Sequence, residues 1–153
     1  MNEIIDFLTK SQTFYLSTVN ENNTPEVRPF GFVMDCNGKP AFSTGTMKKV
    51  YSQLQTNPSV AICAYVAETM QWMRISGKVK FTDDLEAKRK ILESMPFLKE
   101  LYKSEDNPVL ACFYLEEGKA AFYSFESMNE PSRVVEFWSG MNFIIWLICF
   151  LNI

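Results

Sequence analysis

Apolar residues recur along the chain in two periods, one helical and one alternating. Ile4, Ile5, Phe7 and Leu8 form one face of a short helix, closed by Lys10, Ser11 and Gln12, and Phe14 to Val19 then takes up a strand pattern. The turn formers Asn20 to Pro25 separate that strand from a long one over Val27 to Met34, in which Pro29 and Gly31 signal a bulge or a close backbone approach. Asn37-Gly38 is a hairpin signal joining it to a strand over Ala41 to Thr44. Thr46 is placed to cap a helix reaching about Gln55, with Val50 and Leu54 on one face and Asn57-Pro58 stopping it.

Two more strands follow, Val60 to Val66 and Trp72 to Phe81. Asp83 or Asp84 then caps a helix carrying Leu85, Lys88, Ile91 and Leu92, Pro96 interrupts it, and a second short helix covers about Phe97 to Tyr102. Val109 to Leu115 and Ala120 to Phe125 flank Glu116-Glu117-Gly118-Lys119, which reads as another hairpin, and Val134 to Phe137 is a last short strand. Consecutive hairpins with few crossover helices predict a mainly β protein, an antiparallel barrel or sandwich with peripheral helices.

The 153 residues suit one domain, and 47% hydrophobic with 22% charged residues is a globular mix. The chain has no histidine, which removes the commonest general base, the usual nucleophile triads and the usual zinc and haem ligand sets. No metal site is expected. Cys36, Cys63, Cys112 and Cys149 form no C-x-x-C pair, and the N-terminus has no secretion signal, so reduced thiols in a cytoplasmic protein are expected. A net charge of −3 disfavours duplex nucleic acid as a partner, and single-strand binding on an aromatic-studded barrel ranks below the small-ligand readings.

Charge is unevenly spread. Between Val27 and Ala67, Arg28, Lys39, Lys48 and Lys49 face only one acid, Asp35. Such an island suits an anion site, and equally a solvated basic face. Thr46, Met47, Lys48 and Lys49 stand at the expected helix start, where backbone amides, a hydroxyl and two ammonium groups can converge on a phosphate. Arg28 joins them if hairpin pairing brings its strand beside Ala41 to Thr44. The six glycines form neither a G-x-G nor a P-loop spacing.

The string Val27-Arg28-Pro29-Phe30-Gly31, then Phe42-Ser43-Thr44, then Lys48-Lys49 ahead of Asn57-Pro58, resembles the pyridoxamine 5′-phosphate oxidase-like FMN-binding split-barrel family. Trp72 to Lys78 followed by an Asp83-Asp84 helix start carries the same resemblance, which covers about Asn2 to Phe137. It implies a six-stranded antiparallel split barrel over 1–137. It also implies a homodimer with two sites at its interface and FMN held non-covalently, its phosphate on basic residues. Carried over, Arg28, Lys48 and Lys49 hold phosphate. Ser43 and Thr44 hydrogen-bond phosphate, ribityl or ring, and Pro29 and Phe30 lie where backbone meets the isoalloxazine edge. Trp72 stands where a flavin-facing glutamine is often found, Val33 where the vitamin oxidases have a second basic residue, and Met47 in place of a hydroxyl.

The activity implied is an oxidoreductase passing electrons or hydride through FMN, from a donor such as NAD(P)H to a small acceptor. The alternative is a module that stores or senses FMN or another phosphorylated ligand without turnover. The vitamin oxidases' C-terminal substrate segment has no counterpart, which points to a short flavoprotein relative. Residues 138–153 are expected to be an apolar extension outside the barrel, without flavin contact. Their nine-residue run Phe143 to Leu151 would reach roughly 14 Å as a helix, against a bilayer core of about 30 Å, so no transmembrane span is expected.

Overall fold

Alternation sets the interior of the sheet. In β1 (Phe14–Val19), Phe14, Leu16 and Thr18 are buried while Tyr15 is exposed, and in β5 (Ser59–Val66) Val60, Ile62, Ala64 and Val66 point inward. The computed structural model describes residues 2–137; the expected extension 138–153 lies outside the described residues. Helix α1 (Asn2–Ser11) buries Ile4 and Leu8 against the same interior.

The remaining strands are β2 (Pro25–Phe30), β3 (Met34–Cys36), β4 (Lys39–Gly45), β6 (Gln71–Thr82), β7 (Leu110–Ser124) and β8 (Arg133–Phe137). All described pairings are antiparallel, in the order β2-β1-β5-β6-β7-β4-β3, with β8 beside β7. The fold is therefore mainly antiparallel β with helices, and it has eight strands where the resemblance implies six barrel strands. The sheet curls on itself. Phe30 of β2 lies 6.3 Å from Phe42 of β4 and 6.2 Å from Phe113 of β7, ring to ring, although β2 pairs only with β1. A seam without a ladder runs between β2 and β4.

Three local expectations are corrected. The long strand over Val27 to Met34 is two strands: β2 stops at Phe30, and residues 31–33 cross to β3, which starts the hairpin with β4. Its Asn37 and Gly38 have φ of 53° and 79°, the paired left-handed conformation that a two-residue turn requires. The Glu116 to Lys119 hairpin does not form, because β7 runs on unbroken and pairs β6 from Thr82 to Gln71, shifting register at Lys78/Val79. Gly118 there sits opposite Gly77, where side chains would collide: a Cβ on Gly118 would stand 2.4 Å from the Ser76 carbonyl oxygen. Thr46 does not cap α2 (Lys49–Thr56), whose N-cap is Lys48; the Thr46 N–H instead donates to the Val109 carbonyl at 2.9 Å.

Helices α3 (Leu85–Ser94) and α4 (Pro96–Tyr102) form a second, smaller core on the other face of β4 and β7. Asp84 caps α3 by accepting from the Glu86 N–H at 2.9 Å, and Pro96 starts α4. Ala87, Ile91, Leu92 and Tyr102 pack there on Ala41, Leu110 and Cys112. Among the described residues no helix is long and apolar enough to cross a membrane.

Candidate functional site

The seam opens into a cavity of about 420 Å³, within the range of small-ligand sites. One rim is Arg28 to Phe30 of β2 with Gly31 and Phe32 just beyond it, the β4 rim is Ser43 and Thr44, and the start of α2 brings Lys48 and Val50. Neither rim is paired across the gap. β2 has a ladder only on its β1 side, and β4 pairs β3 no further than Ala41, so past that point its outer edge has no strand beside it. Pro29 lacks the N–H that would invite a further strand.

Three observations suit this cavity to an anionic ligand of cofactor size. Thr44 is buried, and its Oγ1 is the described buried side-chain polar atom that has no hydrogen-bond partner, although an orphaned hydroxyl is costly. Helix α2 begins with no side-chain cap and no acid in its first turn, which leaves its N-terminal amides to a ligand. Lys48 and Arg28 bring positive charge to the same cavity.

Arg28 is held from behind. Its Nη1 donates to Thr18 Oγ1 at 2.7 Å and to the Leu16 carbonyl at 3.2 Å, and its Nη2 donates to Gln53 Oε1 at 3.0 Å. Glu26 stands 3.7 Å from Nη2. Partial burial lowers the Arg28 pKa, against the pull of Glu26, from a value high enough that the guanidinium stays charged. Hydrogen bonds from Gln53 and Asn20 hold the Glu26 carboxyl below its ordinary value.

The sequence-selected residues divide. Arg28, Pro29, Phe30, Ser43, Thr44 and Lys48 line the cavity together. Their meeting results from the curl of the sheet, not from pairing of the Arg28 strand with β4. Thr46 lies in the turn before α2 and outside the lining. Lys49 lines a neighbouring cavity of about 390 Å³, with Asn20, Glu26 and Gln53. Trp72 is on the outer face of the sheet, stacked on Tyr123 at 5.5 Å and 2° and met edge-on by Phe125.

Sequence reasoning did not select Phe32, Val50, Met95, Phe97 and Leu98, which supply the apolar side of the cavity. Phe97 is 59% exposed beside a helix-starting proline, and an aromatic in that position is the signal that could have marked it. Among the described residues the thiols offer no chemistry at this site. Burial pushes Cys112 up to about 12 and also raises Cys36, so both stay protonated, and Cys63 is on the outer face. Among the described residues no cluster of acids and cysteines could hold a metal ion.

The cavity thus pairs an anion pole at Lys48, Arg28 and α2 with an apolar wall at Phe32, Met95, Phe97 and Leu98. A flat conjugated cofactor carrying one phosphate fits that division. Residues 1–116 match the family model of pyridoxamine 5′-phosphate oxidase. A NimC/NimA family protein from Clostridium acetobutylicum is 34% identical, with 90% of this chain and 93% of that one covered and a TM-score of 0.80. A pyridoxamine 5′-phosphate oxidase-related, FMN-binding protein from Nostoc punctiforme shares the fold at 15% identity, with 83% of each chain covered and a TM-score of 0.65. General Stress Protein 26 from Bacillus anthracis does so at 17% identity, with 88% of this chain and 97% of that one covered and a TM-score of 0.67. No curated protein matches the chain significantly.

Proposed function

Because the chain belongs to the pyridoxamine 5′-phosphate oxidase family, we propose that it is an FMN-binding flavoprotein that works as an oxidoreductase, with its cofactor in the β2/β4 seam. The observation that carries this reading is the convergence of an orphaned Thr44 hydroxyl, an uncapped helix start, Lys48 and Arg28 on one cavity.

In this reading Lys48, Arg28 and the first amides of α2 neutralise the phosphate, and Ser43 and Thr44 give hydrogen bonds to phosphate, ribityl or ring. Phe32, Met95, Phe97 and Leu98 keep water from the apolar side, where a small acceptor or a donor such as NAD(P)H would approach. Bound FMN supplies electron and hydride transfer itself, so the protein's work is to bind and orient, and a chain without histidine can do it. The strands β2, β1, β5, β6, β7 and β4 are the six of a split barrel, with β3 and β8 added at its margins.

The protein acts as a cytoplasmic homodimer across the outer sheet face. Tyr15, Val27 and Val134 are exposed there around a cavity of about 560 Å³, a surface that a second copy would cover. Trp72 lies on that outer side, so any flavin contact it makes is to the other subunit's site. Lys49 and Thr46 support the anion pole from outside the cavity.

Purified protein mixed with FMN and passed through a desalting column should retain flavin absorbance at one flavin per chain. Addition of NADH or NADPH with an artificial acceptor should then give turnover. Retained flavin without turnover would favour a store or sensor, and no retained flavin would remove the flavoprotein reading and leave only a module for another phosphorylated ligand.

A further inference from the structure

We infer that Gln53 is a positioning residue for the anion pole, fixing the direction of Arg28 while leaving its positive charge to the ligand; this rests on the phosphate-binding reading above. Gln53 lies on α2 and is 8% exposed, and Thr18 on β1 is 1% exposed. The two form a buried polar pair behind Arg28. Thr18 Oγ1 donates to Gln53 Oε1 at 2.6 Å, and that same Oε1 accepts from Arg28 Nη2 at 3.0 Å. The Thr18 oxygen accepts in turn from Arg28 Nη1 at 2.7 Å.

Two donors on one carbonyl oxygen settle which end of the carboxamide faces Arg28. Its nitrogen end is left for Glu26, whose carboxylate is also held by Asn20 at 3.0 Å. Through Oε1 the amide ties α2 to β1 at Thr18 and to β2 at Arg28. The chemistry of the residue matters as much as its place. A neutral acceptor orients a guanidinium without cancelling its charge, whereas a carboxylate at the same place would neutralise it. The acid that is present, Glu26, is 3.7 Å away with a side chain 37% exposed, so solvent screens the pair. Arg28 is thus oriented by neutral groups, is only weakly offset by the solvent-screened Glu26, and keeps most of its positive charge at the cavity rim.

The test is the ratio of riboflavin to FMN dissociation constants, read by fluorescence titration, since the phosphate is the sole difference between these ligands. Wild type should prefer FMN. Gln53→Glu keeps the acceptor toward Arg28 but supplies a compensating charge, and the ratio should fall roughly tenfold, the effect expected for one charge-assisted contact, while the new carboxylate beside Glu26 lowers the melting temperature. Thr18→Val should lower the ratio in the same direction, and Thr18→Ser, which keeps the hydroxyl, should restore it. The serine and valine pair carries the test if the Gln53 variant does not fold. An undiminished ratio in Gln53→Glu or in Thr18→Val overturns the positioning role and leaves the flavin reading standing. A wild type without preference for FMN removes the phosphate reading and this inference together.

Discussion

Along the wall formed by β5, β6 and β7 every strand has a neighbour on both sides, and the ladder between β6 and β7 runs from Gln71 to Thr82. Across the seam, β2 and β4 face each other with no ladder, a proline on one rim and a buried, unpartnered hydroxyl on the other. Both regions contain glycine, for opposite reasons. In the wall Gly77 and Gly118 let two backbones close to a distance no side chain would permit, while Gly31 lies where the chain leaves the sheet and a Cβ would meet only the Gln12 carbonyl oxygen, at 3.4 Å. The wall spends its backbone groups on itself and is rigid scaffold. The seam leaves backbone and side-chain polar groups without partners, which suits it to a ligand.

The largest expected effect contrasts the two glycine sites. Gly118→Ala should destabilise the protein by about 4 kcal/mol or more, or prevent folding, because its Cβ meets backbone on the facing strand. Gly31→Ala should change stability by less than about 1 kcal/mol. Urea denaturation of the two variants checks the pair, and equal costs would break the distinction.

Next come the two adjacent lysines, which fall on different sides of α2. Lys48→Ala should weaken FMN by about 10- to 100-fold, the worth of a charge-assisted contact, while Lys49→Ala should cost less than about threefold. Riboflavin binding should be little changed by either. Equal losses would place the phosphate between the two cavities.

A smaller effect has opposite signs in the free and bound protein. Thr44→Val removes an orphaned hydroxyl, so the ligand-free protein should gain about 1 kcal/mol in a thermal melt. FMN affinity should fall several-fold in the same variant. A loss of stability would show that Thr44 Oγ1 has a partner without ligand.

The smallest concerns pH. The Glu26 pKa is lowered from 4.5 in the folded chain, chiefly by hydrogen bonds from Gln53 and then Asn20. A lowered carboxyl contributes stability that is present above its unfolded value and lost as pH falls through the folded one. Melting temperature should therefore hold from neutrality to about pH 5 and decline below it, by less in Glu26→Gln.

Much of this was legible from residues alone, where local chemistry decides. The Asn37-Gly38 turn, the Asp84 cap, the break at Pro96 and the alternation in β1 and β5 each need only near neighbours. What could not be read depends on partners distant in sequence. Glu116 to Lys119 has turn chemistry, yet Gly118 is there because Gly77 lies opposite. Arg28 reaches Ser43 and Thr44 through the curl of the whole sheet, although no strand pairing joins them. Lys48 and Lys49 are equivalent as letters and separate only once α2 starts at Lys49 and not at Thr46. The apolar side came from the α3–α4 segment, whose folding over β4 leaves no periodic mark in Met95 to Leu98.

A crystal structure of the protein soaked with FMN tests the central claim most directly. The account predicts the flavin in the β2/β4 seam, its phosphate within hydrogen-bonding distance of Lys48 and the first amides of α2, and Thr44 Oγ1 newly bonded to it. Flavin density elsewhere, or a phosphate held without Lys48 while Thr44 Oγ1 stays unpartnered, would contradict it.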